Sequence, residues 1–325
     1  MTGGAQYIID PKMAAILGHD LNPNQMLVGY WTDIIADVSL GTGTAKTKLG
    51  GTQVYGTGAD YLLPTAAKCI VAVRPKLVST TPTANQSVVA TLKVESSDLH
   101  MGDFEVFANP IESGLGTTET QFQDAAPWYP LMQPCLGGEK MQFYGTAQIA
   151  NTVAPLMSCD VLLSNTPPEG YVNGAWQQQA GYFGPVQAKV AGINYGGGPT
   201  ALGTTASSVA TDAGVTISGP KKRLLGLFGV AVDTTPAASK PISGWFSVNA
   251  TEIAINPQRW AAEPITGMLG TTVVGGLAHI SAMAPLNLSM KAPTTPKGQF
   301  NLSQAVTNAG NFEVGYMYMD ATLAQ

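Results

Sequence analysis

The tetrapeptide Leu115-Gly116-Thr117-Thr118 occurs again 154 residues later, as Leu269-Gly270-Thr271-Thr272. The same offset relates two more pairs of stretches without a gap: Thr80-Thr81-Pro82 with Thr234-Thr235-Pro236, and Pro110-Ile111 with Pro264-Ile265. From residue 80 to residue 118, 12 of 39 positions are identical to the position 154 residues further on, where chance pairing in this composition gives roughly three. The chain therefore contains an internal repeat.

The repeat extends outward with small slips, as insertions in turns would produce. Gly29-Tyr30-Trp31 pairs with Gly181-Tyr182-Phe183 at an offset of 152, and Gln142-Phe143 pairs with Gln299-Phe300 at an offset of 157. Each half thus begins with an aromatic segment and ends with a long apolar one. We interpret the chain as a tandem duplication of one domain of about 150 residues.

Three segments follow from this duplication. We expect an N-terminal arm over residues 1–20, a first domain over 21–165 and a second over 166–325. The connector is placed at 164–170, whose prolines and glycine suit a turn between domains. Within the arm, Asp10-Pro11 and the stop at Gly18 predict a two-turn helix, with Asp as N-cap and Pro at the first helical position.

Strand patterns dominate the rest of the chain. Runs rich in β-branched and aromatic residues, separated by Gly, Pro, Asn and Thr clusters, cover 26–40, 68–78, 87–95, 142–150, 153–163 and 312–319. Alternation in the third run predicts two opposite faces, an apolar one with Val88, Ala90, Leu92 and Val94 and a polar one with Thr91, Lys93 and Glu95.

About eight strands per half, with long irregular connections such as Pro110–Pro127, fit a sandwich of two antiparallel sheets. Jelly rolls have this size. The sequence therefore predicts an all-β chain of two tandem eight-stranded jelly-roll sandwiches, a double jelly roll, with a short N-terminal helix.

Composition excludes several function classes. Lys plus Arg is 16 and Asp plus Glu is 21, which gives a net charge of −5, and charged residues are only 11% of the 325, against about 25% in typical soluble domains. A weakly acidic chain is a poor candidate for coating nucleic acid, so we expect no sequence-specific nucleic-acid binding. With 45% hydrophobic residues the chain is able to bury a core, which argues against disorder.

The apolar runs are short. The longest, Leu224–Val232, contains two glycines and is far below the roughly 20 residues of a membrane-spanning helix. The first 20 residues show no signal-peptide pattern, so we expect synthesis and assembly in a host cytoplasm.

The search for metal and nucleophile motifs is negative. His19, His100 and His279 form no HxH or HExxH spacing, and we interpret each as structural or surface. The three cysteines, Cys69, Cys135 and Cys159, form no CxxC pair, and we expect free, buried thiols. We predict no catalytic residue, no cofactor-binding residue and no metal ligand.

Carboxylate pairs and a glycine-rich segment are further candidates for a functional site. Asp98 with Asp103, or Glu252 with Glu263, could meet as an acid and a base, but 21 acidic residues make such pairs easy to find by chance. The segment 195–199 lacks the Lys-Ser/Thr of a phosphate loop, and we interpret it as a plain loop. Lys221-Lys222-Arg223 is interpreted as a solvated guard of an edge strand.

The tandem duplication and the segment Asp10–Gly18 together resemble the double jelly-roll major capsid proteins of icosahedral viruses, the lineage of adenovirus, tectiviruses and corticoviruses. The resemblance covers the whole chain at the level of architecture, and the chain looks like a compact, bacteriophage-sized member. It implies a homotrimer that forms a pseudo-hexagonal tile in the virion shell. The implied partners are neighbouring capsomers, penton and minor capsid proteins, with the N-terminal helix next to an internal viral membrane. It implies a structural role without enzymatic activity.

The main alternative is a carbohydrate-active or carbohydrate-binding protein on two tandem β-sandwiches, similar to two-jelly-roll peptide glycosidases or a bicupin. Such a protein needs convergent carboxylates, a metal set or an aromatic sugar platform. Five tryptophans could supply the platform: Trp31, Trp128, Trp176, Trp245 and Trp260. The last two fall at strand positions of the second repeat, which favours packing. A secreted surface-layer or adhesin module is a third alternative, against which the missing signal pattern counts.

Overall fold

The structure is a computed structural model of the 325-residue chain. It describes residues 27–50, 60–78, 87–88, 90–96, 98–99, 101, 103–108, 111–113, 119–121, 128–147, 153–168, 170–177, 183–192, 200–201, 207–208, 222–233, 244–249, 258–261, 277–279, 284–290, 297–302 and 309–320. The predicted helix over 10–18 and the remainder of the N-terminal arm lie outside these residues.

Within the described residues the fold is all-β, as the sequence predicts. Strands and turns account for the regular structure there, and every paired strand runs antiparallel to its neighbours. No helix of the described part has the length and apolar character that crossing a membrane requires.

Two sheets make up the first half of the chain. In the first sheet the order of strands is β1 (Leu27–Ser39), β12 (Leu156–Ser164), β4 (Cys69–Val78) and β10 (Tyr129–Pro134). In the second the order is β2 (Thr47–Lys48), β11 (Lys140–Ala147), β6 (Ala90–Glu95) and β7 (Glu105–Phe107), with β3 (Tyr61–Leu62) also on β11. The first, second, fifth and sixth predicted runs correspond to β1, β4, β12 and the last strand of the chain.

Two further sheets make up the second half. One has the order β15 (Phe183–Gly192), β24 (Ala309–Asp320), β18 (Lys222–Asp233) and β21 (Leu277–His279), with β16 (Thr200–Ala201) on β24 and β22 (Ala284–Met290) on β18. The other has the order β17 (Ser207–Ser208), β23 (Lys297–Leu302), β19 (Gly244–Asn249) and β20 (Gln258–Ala261).

The strand order repeats between the halves. Adding 154 to the bounds of β6 gives the bounds of β19, and the same shift carries β4 onto β18 and β7 onto β20 within a residue or two. In the first half β1 pairs with β12, and β12 pairs with β4. In the second half β15 pairs with β24, and β24 pairs with β18. The sequence repeat is therefore also a repeat of sheet topology.

Two small sheets lie outside this scheme. β5 (Ser87–Val88), β8 (Ile111–Ser113) and β9 (Glu119–Gln121) form a three-stranded sheet. The connection Pro110–Pro127, which was predicted to be irregular, is therefore partly strand, because β8 pairs with β5 and β9 pairs with β8.

The second small sheet is a hairpin in the segment between the halves, made of β13 (Tyr171–Val172) and β14 (Ala175–Trp176). Its turn places Asn173 and Gly174 at φ values of 52° and 80°, the left-handed conformation that a two-residue hairpin turn requires. Asn-Gly is the sequence typical of such a turn.

The core of the first half lies between its two sheets. β11 alternates buried and half-buried residues, with Met141, Phe143 and Ala147 facing inward. Gly145 lies on the same face, where a Cβ atom would come within 2.3 Å of Leu40 Cδ2. The close approach of side chains from the facing sheet explains why this inward position carries glycine.

The first sheet is covered on both faces. All residues of β12 except its first are buried. A Cβ on Gly145 would also meet Met157 Sδ, so Met157 faces the sandwich interior and its neighbours Ser158 and Asp160 face the other side of the sheet. That side is buried as well, which gives β12 its nearly continuous apolar sequence.

Strand β15 of the second half lies against the first half. It is the edge strand of its own sheet, and it contacts β7 and β10, which are edge strands of the two sheets of the first half. The amide of Ala188 donates a hydrogen bond to the Asp103 carbonyl at 2.9 Å, and Val186 and Ala188 are buried in the same apolar cluster as the first-half core. The two halves therefore share one continuous core.

Candidate functional site

A concentration of charge lies on the outward face of the sheet formed by β2, β11, β6 and β7. Because β6 and β11 alternate, one residue in two points away from the core. We name this surface the charged face and define it by three lysines and three acidic residues, Lys46, Lys48, Lys93, Asp60, Glu95 and Glu105. Its formal charge is 3 − 3 = 0.

Glu95 is the centre of one ion network on the charged face. Its Oε1 lies 2.6 Å from Lys46 Nζ and 2.8 Å from Lys93 Nζ. Hydrogen bonds from Lys46 and then from Lys93 lower the pKa of the Glu95 carboxyl below its ordinary value. The hydrogen bond to Glu95 raises the pKa of Lys93. Both groups are therefore held in their charged forms.

A second network joins Lys48, Asp60 and Gln142. Lys48 Nζ lies 2.8 Å from Asp60 Oδ1, and Gln142 Nε2 donates to the same oxygen at 2.9 Å. The hydrogen bond from Lys48 lowers the pKa of Asp60. Tyr144 links the networks, because its hydroxyl donates to Gln142 Oε1 at 3.1 Å while the Lys46 ammonium lies 4.0 Å from its ring centroid.

A cavity of about 550 Å³ opens where the charged face meets the second half, and we name it the junction cavity. It is lined by Lys93, Glu95, Met101, Asp103, Gln142 and Gln187, together with Val94 and Ser96. β6 and β11 supply one wall of the cavity, and β15 supplies the other through Gln187. Lys189 of β15 also holds the Asp103 side chain, with its Nζ 2.8 Å from Asp103 Oδ2.

The chemistry of this site is that of a hydrogen-bonding surface. A general acid requires a carboxyl whose pKa is raised, whereas the carboxyls of Glu95 and Asp60 have lowered pKa values because lysines contact them. Neither carboxyl is therefore set up as a general acid, and the arrangement supports binding of polar groups.

The predicted pair Asp98 and Asp103 occupies this region without forming an acid–base pair. Asp98 Oδ2 accepts a hydrogen bond from the Lys140 amide at 3.1 Å. Asp103 Oδ2 is engaged by Lys189, and Asp103 lies at the junction cavity. The two carboxylates thus have separate structural partners.

A charged cluster on the buried outer side of the first sheet was not predicted from the sequence. Asp160 has no exposed surface, and Arg74 Nη2 lies 2.6 Å from its Oδ2 while Lys76 Nζ lies 3.0 Å from its Oδ1. The Arg74 guanidinium also lies 4.7 Å from the ring centroid of Trp128. The available signal was one acidic residue within the apolar stretch of β12.

Several sequence candidates lie outside the described residues. They are His19, His100, Glu252, Glu263 and the segment 195–199. His279 is described by its backbone as the last residue of β21, where it pairs with Val230.

The interpretation of Lys221-Lys222-Arg223 as an edge guard is wrong. β18 begins at Lys222, as a strand start was predicted, but Lys222 pairs with Asp320 of β24 on one side and with Met290 of β22 on the other. Because both sides of the strand carry backbone partners at this point, β18 is an interior strand.

The tryptophans occupy separate places. Trp128 packs against the core, and Trp176 makes an edge contact with Tyr171 at 5.4 Å between ring centroids. Trp245 and Trp260 belong to β19 and β20, as predicted, on adjacent strands. Trp31 belongs to β1.

The prediction of free, buried cysteines is confirmed. Burial raises the pKa of the Cys135 thiol to about 12. It also raises the pKa values of Cys69 and Cys159, each of which is completely enclosed. In the described ranges, no three His, Cys, Asp or Glu side chains come together in a way that could hold a metal ion.

Comparison with known proteins gives distant structural matches. No family model and no curated protein matches the chain. Among solved structures, PNGF-II is matched at a TM-score of 0.42 and 8% identity, over 90% of this chain and 65% of that one. The chain thus spans about two thirds of the length of PNGF-II.

Two further matches point to different protein classes. Recombinant peptide:N-glycanase F (PNGase F) is matched at a TM-score of 0.34 and 10% identity, over 91% of this chain and 97% of that one. The STIV major capsid protein (MCP) is matched at a TM-score of 0.35 and 10% identity, over 90% and 97%. At such TM-scores these likenesses favour neither class over the other.

Proposed function

We propose that each half of the chain is a jelly roll and that the protein is a structural major capsid protein. The observation that carries the proposal is the order of strands. If β2 and β3 count as one strand and the three-stranded sheet is set aside, the first half has eight strands in the sheet orders 1-8-3-6 and 2-7-4-5. The second half has the same two orders if β21 and β22 count as one strand and β16 as part of the first. Eight antiparallel strands in two such sheets make a jelly roll.

The role of a shell subunit rests on the tandem arrangement together with the composition. A trimer of doubled sandwiches presents six similar edges and can occupy six-fold lattice positions. Only 11% of the residues are charged, so lateral faces can pack against neighbouring copies with little desolvation of unpaired charge.

The proposal includes the partners and place of such a subunit. The protein forms homotrimers that contact neighbouring capsomers, penton and minor capsid proteins in a virion, after assembly in the host cytoplasm. It has no catalytic role, and residues 1–20 contact an internal viral membrane.

Light scattering of the full chain tests the assembly. A trimer has a mass of 3 × 33.7 ≈ 101 kDa, and electron microscopy at high protein concentration is expected to show hexagonal tiles. A stable monomer of about one third that mass without tiles contradicts the proposal. Release of glycans from glycopeptides by the purified chain would instead support the carbohydrate-active alternative.

Deletion of residues 1–20 tests the role of the arm. The shortened chain is expected to keep the circular dichroism spectrum of the full chain while losing attachment to lipid vesicles or to the shell. Loss of the β-sheet spectrum contradicts a peripheral role, because it would place the arm among the segments that the core requires.

A further inference from the structure

We infer that the junction cavity binds a neutral saccharide. This inference goes beyond the proposed capsid role and does not rest on it. The cavity has a volume of about 550 Å³, which lies within the roughly 300–1,000 Å³ typical of small-molecule sites. It also lies where the two halves of the chain meet, and clefts between packed units are a common place for such sites.

The charges of the cavity argue for a neutral ligand. Lys93 is paired with Glu95 at 2.8 Å, and Asp103 is paired with Lys189 at 2.8 Å. An anionic ligand would compete with a carboxylate for its lysine, and a cationic ligand would compete with a lysine for its carboxylate. A ligand without charge can bind while both ion pairs stay intact.

The remaining hydrogen-bonding capacity suits hydroxyl groups. The contacts of Glu95 use Oε1 and those of Asp103 use Oδ2, so the second oxygen of each carboxylate is an available acceptor among the described residues. The Lys93 ammonium has three donors, and its described ion pair is with Glu95 alone. A sugar hydroxyl both donates and accepts, so neighbouring hydroxyls match this alternation of donors and acceptors.

Gln187 and Met101 also line the junction cavity and suit a saccharide ligand. The half-buried Gln187 side chain lines the cavity from β15, and its amide has no hydrogen-bond partner among the described residues. An amide offers both a donor and an acceptor to one pair of adjacent hydroxyls. Met101 lines the cavity while packing against the core, and it provides an apolar surface for the C–H groups of a sugar ring.

A glycan array identifies the ligand, with neutral oligosaccharides as the test set and sialylated and sulfated oligosaccharides as the anionic comparison. The full chain is expected to bind members of the neutral set. Titration calorimetry with one such oligosaccharide is then expected to show at least a tenfold higher Kd for Gln187→Ala. Gln187→Asn, which keeps the amide but withdraws it by one methylene, is expected to weaken binding as well.

Gln177→Ala is the matched control, because Gln177 is an exposed glutamine outside the cavity, and its Kd is expected to equal that of the unaltered chain. Hydrogen exchange of the unaltered chain gives a readout that needs no variant: the saccharide is expected to slow exchange in β6 and β15. Binding of anionic glycans alone, no binding by the array, or slowed exchange elsewhere would overturn the inference. Trimer mass is independent of sugar, so failure here is distinguishable from failure of the capsid proposal.

Discussion

Asp160 lies directly opposite Arg74 in the register of β12 and β4, and its fully buried carboxylate is 2.6 Å from the Arg74 guanidinium. Lys76 contacts the other carboxylate oxygen at 3.0 Å. One buried negative charge therefore faces two half-buried positive charges. Such clusters are costly to desolvate, so the intact cluster adds little net stability, whereas removal of one member is strongly destabilising.

Asp160→Asn is expected to lower the free energy of unfolding by about 3–5 kcal/mol, because the amide removes the buried negative charge that Arg74 and Lys76 both contact. Denaturant titration monitored by tryptophan fluorescence measures the change. Asp98→Asn is the matched control at an exposed position, where a loss of about 1 kcal/mol or less is expected. Equal losses for the two variants would contradict the role assigned to the cluster.

Acidification is expected to weaken the Glu95 network. Lysine contacts lower the folded-state pKa of Glu95 below its ordinary value of 4.5. A lowered folded pKa contributes stability that is present above the ordinary pKa and is lost as the pH falls through the folded pKa. The difference in unfolding free energy between the unaltered chain and Glu95→Gln should therefore be full at pH 7 and decline below about pH 4.5.

Salt provides the control for this pH dependence. The ion pairs of Glu95 are partly exposed, so about 1 M NaCl is expected to reduce the difference at pH 7 by screening. A difference that is constant from pH 7 to pH 3 would show that Glu95 contributes through packing and not through charge.

Gly145→Ala is expected to destabilise the first half by about 1–3 kcal/mol through overpacking. The added Cβ would lie 2.3 Å from Leu40 Cδ2 and 3.2 Å from Met157 Sδ. Gly43→Ala is the matched control, because a Cβ there meets nothing within 4 Å and the φ of Gly43 is not in the left-handed region. Thermal unfolding of both variants checks the contrast, and a stable Gly145→Ala would mean that the two sheets are further apart than described.

The thiols are expected to resist alkylation in the folded protein. With the pKa of Cys135 near 12, about one molecule in 10⁴ carries its thiolate at pH 8, and Cys69 and Cys159 are buried more completely. Intact mass after iodoacetamide treatment should show no adduct in the native protein and three in urea. Rapid labelling of the native chain would show that the ends of β4 and β10 open readily.

The long strands were predictable because the local sequence pattern indicates which segments are buried strands. The predicted run 26–40 corresponds to β1 (Leu27–Ser39) and the run 68–78 to β4 (Cys69–Val78), since β-branched runs bounded by turn residues identify strands. The prediction for β6 was also right about its faces, with one difference. Thr91 on the polar face is buried, and its hydroxyl donates a hydrogen bond to Glu105 Oε1 at 2.7 Å, which satisfies it there.

The short strands and the charged contacts were not predictable from local pattern. β8 and β9 are three-residue strands, and β8 pairs with β5, a partner distant in sequence, while β9 pairs with β8. Lys46 reaches Glu95 across 49 positions of sequence, and Asp160 reaches Arg74 across 86. Charge pairing of this kind depends on sheet register, which the repeat indicates for the backbone but not for individual side chains.

The shared core predicts that the two halves unfold together. Val186 of β15 is buried within the first-half core cluster, so Val186→Ala is expected to cost about 1–3 kcal/mol and to shift one cooperative thermal transition as a whole. Asp103→Asn, which removes the 58% exposed partner of Lys189, is expected to cost about 1 kcal/mol or less because solvent screens that pair. Val172→Ala, at a 51% exposed valine of the hairpin, should change the midpoint little. Calorimetry that resolves two transitions, with Val186→Ala moving only one of them, would show that β15 docks on the first half without joining its core.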